Sequence, residues 1–187
     1  KNVINIIPSL RKPELLKKNC FYGKDNLILN REINYLNNIY LKKKNYILIF
    51  PGYTGRVPKK ILDFCLKNKK LNFIIFSNNQ NLIKVKNIKI LGPNKDFLKI
   101  TKEASAIISR FGVYIHECLA LKQKVFVWDF NEDGERLKDI NYLVHKNYIK
   151  KFNQNNFEKD VKKKFNIIKK LKFGCPTIIN KIQDSFI

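Results

Sequence analysis

The stretch that decides the fold lies in the second half of the chain and reads Ala106-Ile107-Ile108-Ser109-Arg110-Phe111-Gly112-Val113-Tyr114-Ile115-His116-Glu117-Cys118-Leu119-Ala120-Leu121. Its first four residues are typical of a buried strand, a glycine turn follows at Gly112, and a helix opens with Glu117 in its second turn. Backbone N–H groups at the start of such a helix lack an intrahelical partner and suit a phosphate. Glu117, about one turn further on, could accept hydrogen bonds from a ribose. A nucleotide or a nucleotide-sugar is therefore the first ligand to consider.

Apolar runs alternate with amphipathic segments on both sides of this stretch. The pattern predicts strands at 46–50, 71–76, 88–91, 106–109 and 125–128, and a last short strand at 148–149. Helices are predicted after Pro58, at 95–103, at 135–146 and at 177–186. A long basic helix that carries Val161, Phe165, Ile168 and Leu171 is predicted before the last of these. This alternation implies an α/β fold, a Rossmann-like parallel sheet of about six strands with helices on both faces.

The first 45 residues have a different character from the rest. We expect residues 1–45 to form an amino-terminal strand and an interdomain-type segment, and residues 46–187 to form the Rossmann-like domain. An apolar strand at 3–7 has no predicted neighbour, so we expect a segment upstream or a partner chain to cover it. A helix is predicted around 32–40.

Charge and cysteine usage narrow the choice of partners. Of the 38 basic residues behind the formal charge of +23, only five are arginine. Lysine is a strongly hydrated point charge, whereas recognition of bases and phosphates favours the planar guanidinium, so a nucleic-acid-binding domain is the least favoured function. Attraction to anionic substrates or to a membrane periphery follows more directly from the charge. The four cysteines have no paired spacing, which suits a reducing cytoplasm.

Three loops should meet beyond the carboxyl ends of the strands, where open parallel sheets bind ligands. The predicted diphosphate contacts are Gly52, Tyr53, Thr54, Ser109, Arg110, Gly112 and Val113. We expect the ribose near Glu117, the base near Gly92, Pro93 and Asn94, and the sugar near Asn131 and Glu132. Simpler interpretations stay open: Gly52 and Gly112 as strand-exit glycines, Glu117 as a solvated carboxylate and His116 as a structural residue. No metal or cofactor is expected, because amides, Arg110 and lysines can neutralise a diphosphate.

These residues resemble the carboxyl-terminal, donor-binding domain of GT-B glycosyltransferases, in which a strand, a small-residue turn and a helix with a glutamate precede an Ala-Leu step. The chain is most similar to the UDP-sugar hydrolases of pseudaminic acid biosynthesis and to spore-coat polysaccharide proteins. Their interdomain motif G-P-x-Y-x-L-L-R-P-E-F is matched at Gly23, Ile28, Leu29 and Glu32; their F-G-G strand end is matched by Phe50-Pro51-Gly52; and their N-Q pair is matched by Asn131-Glu132.

The resemblance covers nearly the whole chain but only the carboxyl-terminal half of the family's architecture. It implies that Glu117 binds ribose and that the glycine turns hold the diphosphate. The chain departs from the family in having one glycine fewer at Pro51-Gly52, in Val113 where the family offers a hydroxyl, and in Arg31 one place after the family's arginine. The family's catalytic histidine belongs to its other half.

The sequence therefore predicts the nucleotide-sugar-binding half of a GT-B glycosyltransferase or UDP-sugar hydrolase of surface polysaccharide biosynthesis, cytoplasmic or at the membrane periphery. An amino-terminal GT-B half would be a separate subunit or a further segment. The alternative is a non-catalytic nucleotide-sugar-binding or assembly module, which Pro51 and Val113 favour.

Overall fold

The computed structural model describes residues 5–6, 9–11, 20–21, 23, 27, 29–52, 55–79, 83, 85–92, 96–128, 134–168 and 171. The strands of these residues are β1 (Asn5–Ile6), β2 (Cys20–Phe21), β3 (Ile47–Phe50), β4 (Phe73–Phe76), β5 (Ile88–Leu91), β6 (Ala106–Arg110), β7 (Val125–Trp128) and β8 (Ile149–Lys151). Their helices are α1 (Glu32–Asn38), α2 (Lys59–Lys67), α3 (Phe97–Glu103), α4 (Val113–Ala120), α5 (Gly134–His145) and α6 (Phe157–Lys162).

Strands β3 to β8 form one parallel sheet of six strands in the order β5-β4-β3-β6-β7-β8. The chain runs outward from β3 to β5 and then returns to the other side of β3, where Phe50 pairs with Ser109 of β6. The strand order therefore reverses between β3 and β6. Loops at the carboxyl ends diverge at such a reversal and leave a crevice. The predicted fold class is confirmed, and its crevice lies between two of the loops singled out from the sequence.

Both faces of the sheet are covered because its strands are apolar on both sides. Alternate residues of β3 show this clearly. Ile47 and Ile49 belong to a core with α2 and α6, whereas Leu48 belongs to a second core with α4 and α5. The segment 27–41, which contains α1, packs in a third core against α3 and the end of α4. The helix that begins after β6 is thus wedged between the sheet and this segment, which fixes its orientation.

The expectation that the strand at 3–7 has no partner in the chain is wrong. Strand β1 pairs in parallel with β2, Asn5 opposite Cys20. Just after β1, Ser9 Oγ and Arg11 Nε both donate to Asp139 Oδ1 of α5, at 2.9 and 3.0 Å. A hydrogen bond between side chains 130 residues apart leaves no periodic signal in the sequence.

The predicted long basic helix after β8 is also wrong, because α6 ends at Lys162. The chain then extends so that Phe165 packs against the ring of Phe126, with centroids 5.5 Å apart. Asn166 donates its backbone N–H to the carbonyl of Asn147 at 2.9 Å. Packing of Phe165 on the sheet and this hydrogen bond replace the helical turn that spacing alone had predicted. The helix predicted at 177–186 lies outside the described residues.

Among the described residues, no helix combines the length and the apolar character that crossing a bilayer requires.

Candidate functional site

A cavity of about 330 Å³ opens beyond the carboxyl ends of β3 and β6. Ligand pockets start at roughly 300 Å³, so a nucleoside diphosphate is within its capacity if part of the ligand stays in solvent. The described residues that line the cavity are Phe50, Pro51, Gly52, Arg110, Phe111, Gly112, Val113, Tyr114 and Arg136. The structure therefore brings together Gly52, Arg110, Gly112 and Val113, which the sequence had placed in one site.

The two glycines of the cavity, Gly52 and Gly112, differ in their backbone conformation. Gly52 has φ +80°, in the left-handed region where other residues are strained, so the turn after β3 requires it. Gly112 has φ 167° and ψ −174°, an extended conformation open to any residue. A Cβ atom built on Gly112 would meet no atom within 4 Å. The free protein therefore does not need a glycine at position 112, which leaves a close approach by a ligand as a reason for it.

Ser109 lies beneath the cavity rather than in its lining. Its side chain is buried, and its hydroxyl has two acceptors within reach, the carbonyls of Phe50 at 3.0 Å and of Arg110 at 2.9 Å. Donation to the Phe50 carbonyl ties the carboxyl end of β6 to that of β3, whereas donation to the Arg110 carbonyl stays within β6. A direct contact between Ser109 and a ligand stays a prediction.

Helix α4 points its amino end at the cavity. It begins after Gly112 without a side-chain cap, and Ile115 donates its N–H back to the carbonyl of Gly112 at 3.0 Å. The N–H groups that precede Ile115 in the first turn have no intrahelical acceptor, and the helix dipole adds partial positive charge there. Val113, which is 51% exposed, stands at this end. The helix therefore offers an anion both hydrogen-bond donors and a favourable potential.

Two of the chain's five arginines line the same cavity. Arg110 is half-buried at the end of β6, and Arg136 is exposed in the first turn of α5. The described lining includes no Asp, Glu, His or Cys. Sequence reasoning missed Arg136, although its position a few residues after β7 puts it at the ligand-binding edge of the sheet. The described lining therefore contributes two guanidinium groups, which are the donors best shaped for phosphate oxygens.

The floor of the cavity is aromatic. The ring of Tyr114 lies 4.3 Å from that of Phe50 and 4.9 Å from that of Phe97, measured between centroids. The Tyr114 hydroxyl is 2.8 Å from Thr101 Oγ1, and burial raises the pKa of Tyr114 well above its usual value. Because this hydroxyl is buried and hydrogen-bonded to Thr101, Tyr114 contributes an aromatic surface to the cavity.

Glu117 lies four residues after Val113, on the same face of α4 and one turn from the cavity. Its carboxylate is half-buried and accepts a hydrogen bond from the backbone N–H of Asn30 at 3.4 Å. Burial raises the pKa of Glu117, and the Asn30 hydrogen bond opposes that rise. The Asn30 hydrogen bond ties the carboxylate to the residues that precede α1, and Glu117 is not among the described residues that line the cavity, so its contact with a ribose stays a prediction.

His116 faces the interior and not the cavity. It is 3% exposed, its Nδ1 is the buried side-chain atom that finds no hydrogen-bond partner among the described residues, and its ring lies 6.4 Å from that of Phe111. Burial lowers the pKa of His116 to about 4. The imidazole is therefore neutral near pH 7, as the structural interpretation of this residue requires.

Of the remaining predicted contacts, only Gly92 belongs to the described residues. It follows β5 at the same edge of the sheet as Gly52, two strands away from β3, or roughly 10 Å by strand spacing. The other predicted contacts lie outside the described residues: Tyr53, Thr54, Pro93, Asn94, Asn131 and Glu132.

Comparison with known proteins bears on the fold. No family model and no curated protein matches the sequence. The chain is similar to the UDP-GlcNAc 2-epimerase of Methanocaldococcus jannaschii in complex with UDP-GlcNAc and UDP, with a TM-score of 0.57 and 18% identity over 83% of this chain and 49% of that one. It is also similar to the Neisseria meningitidis UDP-GlcNAc 2-epimerase bound to UDP-GlcNAc, with a TM-score of 0.54 and 18% identity over 76% of this chain and 45% of that one.

The chain thus spans about half the length of the solved structures it matches. Its fold is one Rossmann-like half of the GT-B type.

Proposed function

We propose that this chain binds a nucleoside diphosphate sugar of the UDP class at the carboxyl ends of β3 and β6. The observation that carries the proposal is the cavity itself, in which two arginines, a glycine turn and the amino end of α4 converge without a described acidic residue. The two structurally similar UDP-GlcNAc 2-epimerases were crystallised with UDP-GlcNAc, which supports the same class of ligand for this chain.

The diphosphate would lie against Gly52 and Gly112, with Arg110 and Arg136 on its oxygens. The ribose hydroxyls would then fall near Glu117, about one helical turn away. The base would extend towards Gly92 and its neighbours Pro93 and Asn94. Tyr53 and Thr54 would complete the diphosphate contacts, and Asn131 and Glu132 those of the sugar.

The described part of the cavity offers groups that bind a ligand. Its described lining has no carboxylate, imidazole or thiol that could move a proton, and the Tyr114 hydroxyl is buried against Thr101. An enzyme of this kind, a glycosyltransferase or a UDP-sugar hydrolase such as those of the pseudaminic acid and spore-coat families, would need groups from a second α/β half. The second candidate is a non-catalytic nucleotide-sugar-binding module, which Pro51 in place of a glycine and Val113 in place of a hydroxyl residue favour.

Calorimetric titration with UDP, UDP-GlcNAc and uridine tests the binding proposal. We expect heat from the two diphosphates and little from uridine. Arg110→Gln and Arg136→Gln should each weaken UDP binding by about tenfold or more, since a hydrogen bond to a charged group is worth about 1.5–3 kcal/mol. Arg56→Gln is the matched control, because Arg56 is exposed and outside the described lining. Equal losses in all three variants, or no heat with any diphosphate, would refute the proposal.

The role of Glu117 has a test of its own. Glu117→Gln keeps an oxygen for the Asn30 hydrogen bond but removes the charge that would grip ribose hydroxyls. It should weaken UDP binding and leave the binding of inorganic pyrophosphate unchanged. A parallel loss for both ligands would place Glu117 outside the ribose site.

An assay of UDP release separates the two candidate functions. Hydrolysis or transfer should occur only when a second α/β domain that supplies an acid–base group is added. Failure of release with every such domain, together with intact UDP binding, would favour the non-catalytic module.

A further inference from the structure

Lysine is concentrated at the edge of the sheet opposite the cavity. The connections that lead from a helix into a strand, at 39–46, 68–72, 104–105, 121–124 and 146–148, contain eight basic residues and no acidic one. All eight are lysines: Lys42, Lys43, Lys44, Lys69, Lys70, Lys122, Lys124 and Lys146. Lys86, two residues before β5, adds a ninth. Because the strands are parallel, these connections all lie at the amino ends of the strands, and we call this surface the amino rim.

The opposite edge has a different charge. By sequence, the connections that lead from a strand into a helix, at 51–58, 92–96, 111–112, 129–133 and 152–156, contain two basic and four acidic residues. The contrast is not a uniform effect of a lysine-rich composition, which would enrich both edges alike. Glu103, the last residue of α3, pairs with Lys44 at 2.6 Å, and the remaining lysines of these connections leave the amino rim positive.

The amino rim is also broad. Six strands begin there in the order β5-β4-β3-β6-β7-β8, which spans about 24 Å at the usual strand spacing. Lys86, Lys69 with Lys70, and Lys42 precede the three adjacent strands β5, β4 and β3, and all four side chains are exposed. Tyr40, in the same connection as Lys42, is 90% exposed.

We infer that the amino rim docks on the surface of an anionic lipid bilayer. Each lysine near such a surface contributes attraction without a specific geometry, and an exposed tyrosine suits the headgroup layer. Nucleic acid fits the rim less well, since none of the five arginines lies in these connections and bases are read or stacked mainly by arginine and clustered aromatic residues. Docking by this rim leaves the cavity at the other edge open to dissolved ligands.

Sedimentation with vesicles tests the inference on the complete chain. Vesicles of phosphatidylcholine with about 30% phosphatidylserine should bind the protein, and pure phosphatidylcholine should not. Binding should weaken strongly between about 0.1 M and 0.5 M salt, since screening shortens the reach of surface charges. Nucleotide titration is independent of this measurement, so failure of either proposal leaves the other intact.

Two variants with the same loss of charge separate position from net charge. The rim variant carries Lys42→Gln, Lys69→Gln, Lys70→Gln and Lys86→Gln. The control variant carries Lys59→Gln, Lys60→Gln, Lys99→Gln and Lys159→Gln, exposed lysines on α2, α3 and α6. At about fivefold per lysine, the rim variant should lose at least a hundredfold in vesicle affinity, and the control less than about tenfold. Thermal unfolding checks that both variants fold.

Three results would overturn the inference. One is an equal loss of vesicle affinity in the rim and control variants, which would mean that net charge alone explains the binding. Another is vesicle binding that does not depend on phosphatidylserine. The third is tighter binding to single-stranded RNA than to vesicles with the same dependence on the rim lysines.

Discussion

Replacing Gly112 by alanine separates the needs of the fold from the needs of a ligand. The backbone at Gly112 is extended and a Cβ atom there would meet no atom within 4 Å, so the folded protein accepts the methyl group. Alanine also restricts the unfolded chain more than glycine does, which stabilises the folded state by about 0.4–1 kcal/mol at a compatible site. For a chain of this size the melting temperature should rise by about 1–4 °C.

The same methyl group should weaken the binding of a diphosphate. Gly112 precedes the first turn of α4, where a phosphate oxygen must come within about 2.9 Å of an amide nitrogen to accept a hydrogen bond. Loss of one hydrogen bond to a charged group costs about 1.5–3 kcal/mol, which corresponds to roughly 10–150-fold in the dissociation constant. Calorimetry with UDP measures that constant, and differential scanning fluorimetry measures the stability of the same samples.

Val113→Ala is the control, because it shortens the neighbouring exposed side chain without adding an obstacle. Its affinity for UDP should equal or exceed that of the original chain. If Gly112→Ala binds UDP as tightly as the original chain, no phosphate approaches the amino end of α4, and the reasoning from the glycine turn fails.

Three further predictions concern stability. Burial lowers the pKa of His116 to about 4, from 6.5 in the unfolded chain. The unfolded state therefore takes up the proton more readily, and the free energy of unfolding should fall by about 3 kcal/mol as the pH drops from 6.5 to 4. Urea titrations of His116→Gln should no longer show this fall in unfolding free energy between pH 6.5 and 4. If the fall persists in the variant, other titratable groups cause it. Lys122 has φ +58°, in the region that glycine adopts without strain. In thermal unfolding, Lys122→Gly should therefore stabilise the folded protein by about 0.5–1 kcal/mol, and Lys122→Val should destabilise it. If the valine variant is the more stable of the two, the turn at Lys122 is not strained. Tyr114→Phe should lose about 1–2 kcal/mol in urea unfolding, since Thr101 Oγ1 already donates to the Phe97 carbonyl and would lose its donor, while UDP affinity stays unchanged. A loss of affinity would mean that the hydroxyl reaches the ligand.

The sheet was predictable because its strands are buried on both faces and therefore read as continuous apolar runs. The run at 46–50 became β3, and the run before Gly112 became β6. The site was predictable in part for the same reason, since Gly52 and Gly112 follow strands of one parallel sheet and therefore lie at the same edge. That β3 and β6 are neighbours was not predictable, because right-handed crossovers are compatible with several strand orders. Whether the two glycines had a conformational reason was not predictable, because the φ values that distinguish them are properties of the folded chain.

What the sequence concealed depends on contacts between distant residues. Arg136 belongs to no sequence motif, and it lines the cavity because the first turn of α5 lies next to the cavity. Phe165 has the spacing of a helical residue, yet Lys150 lies over its ring at 4.9 Å and Phe126 packs against it. Tertiary contacts of this kind outweigh a helix propensity that differs by fractions of a kcal/mol per residue.

The lysines of the amino rim have two physical roles, and separating them explains why the charge gathers there. Helices in this fold run opposite to the strands, so their carboxyl ends, with partial negative charge, face the amino rim. Lys43 of the amino rim donates to the carbonyl of Ala104 at 2.9 Å just past the end of α3, and Lys102 of α3 donates in the same way to the carbonyl of Ile39 at 2.9 Å just past the end of α1. Such lysines stabilise helix ends and would be favoured without any partner. Lys69 and Lys70, just past the end of α2, gain from the same potential but their side chains stay exposed, and exposed charge of this kind is what an anionic bilayer would attract.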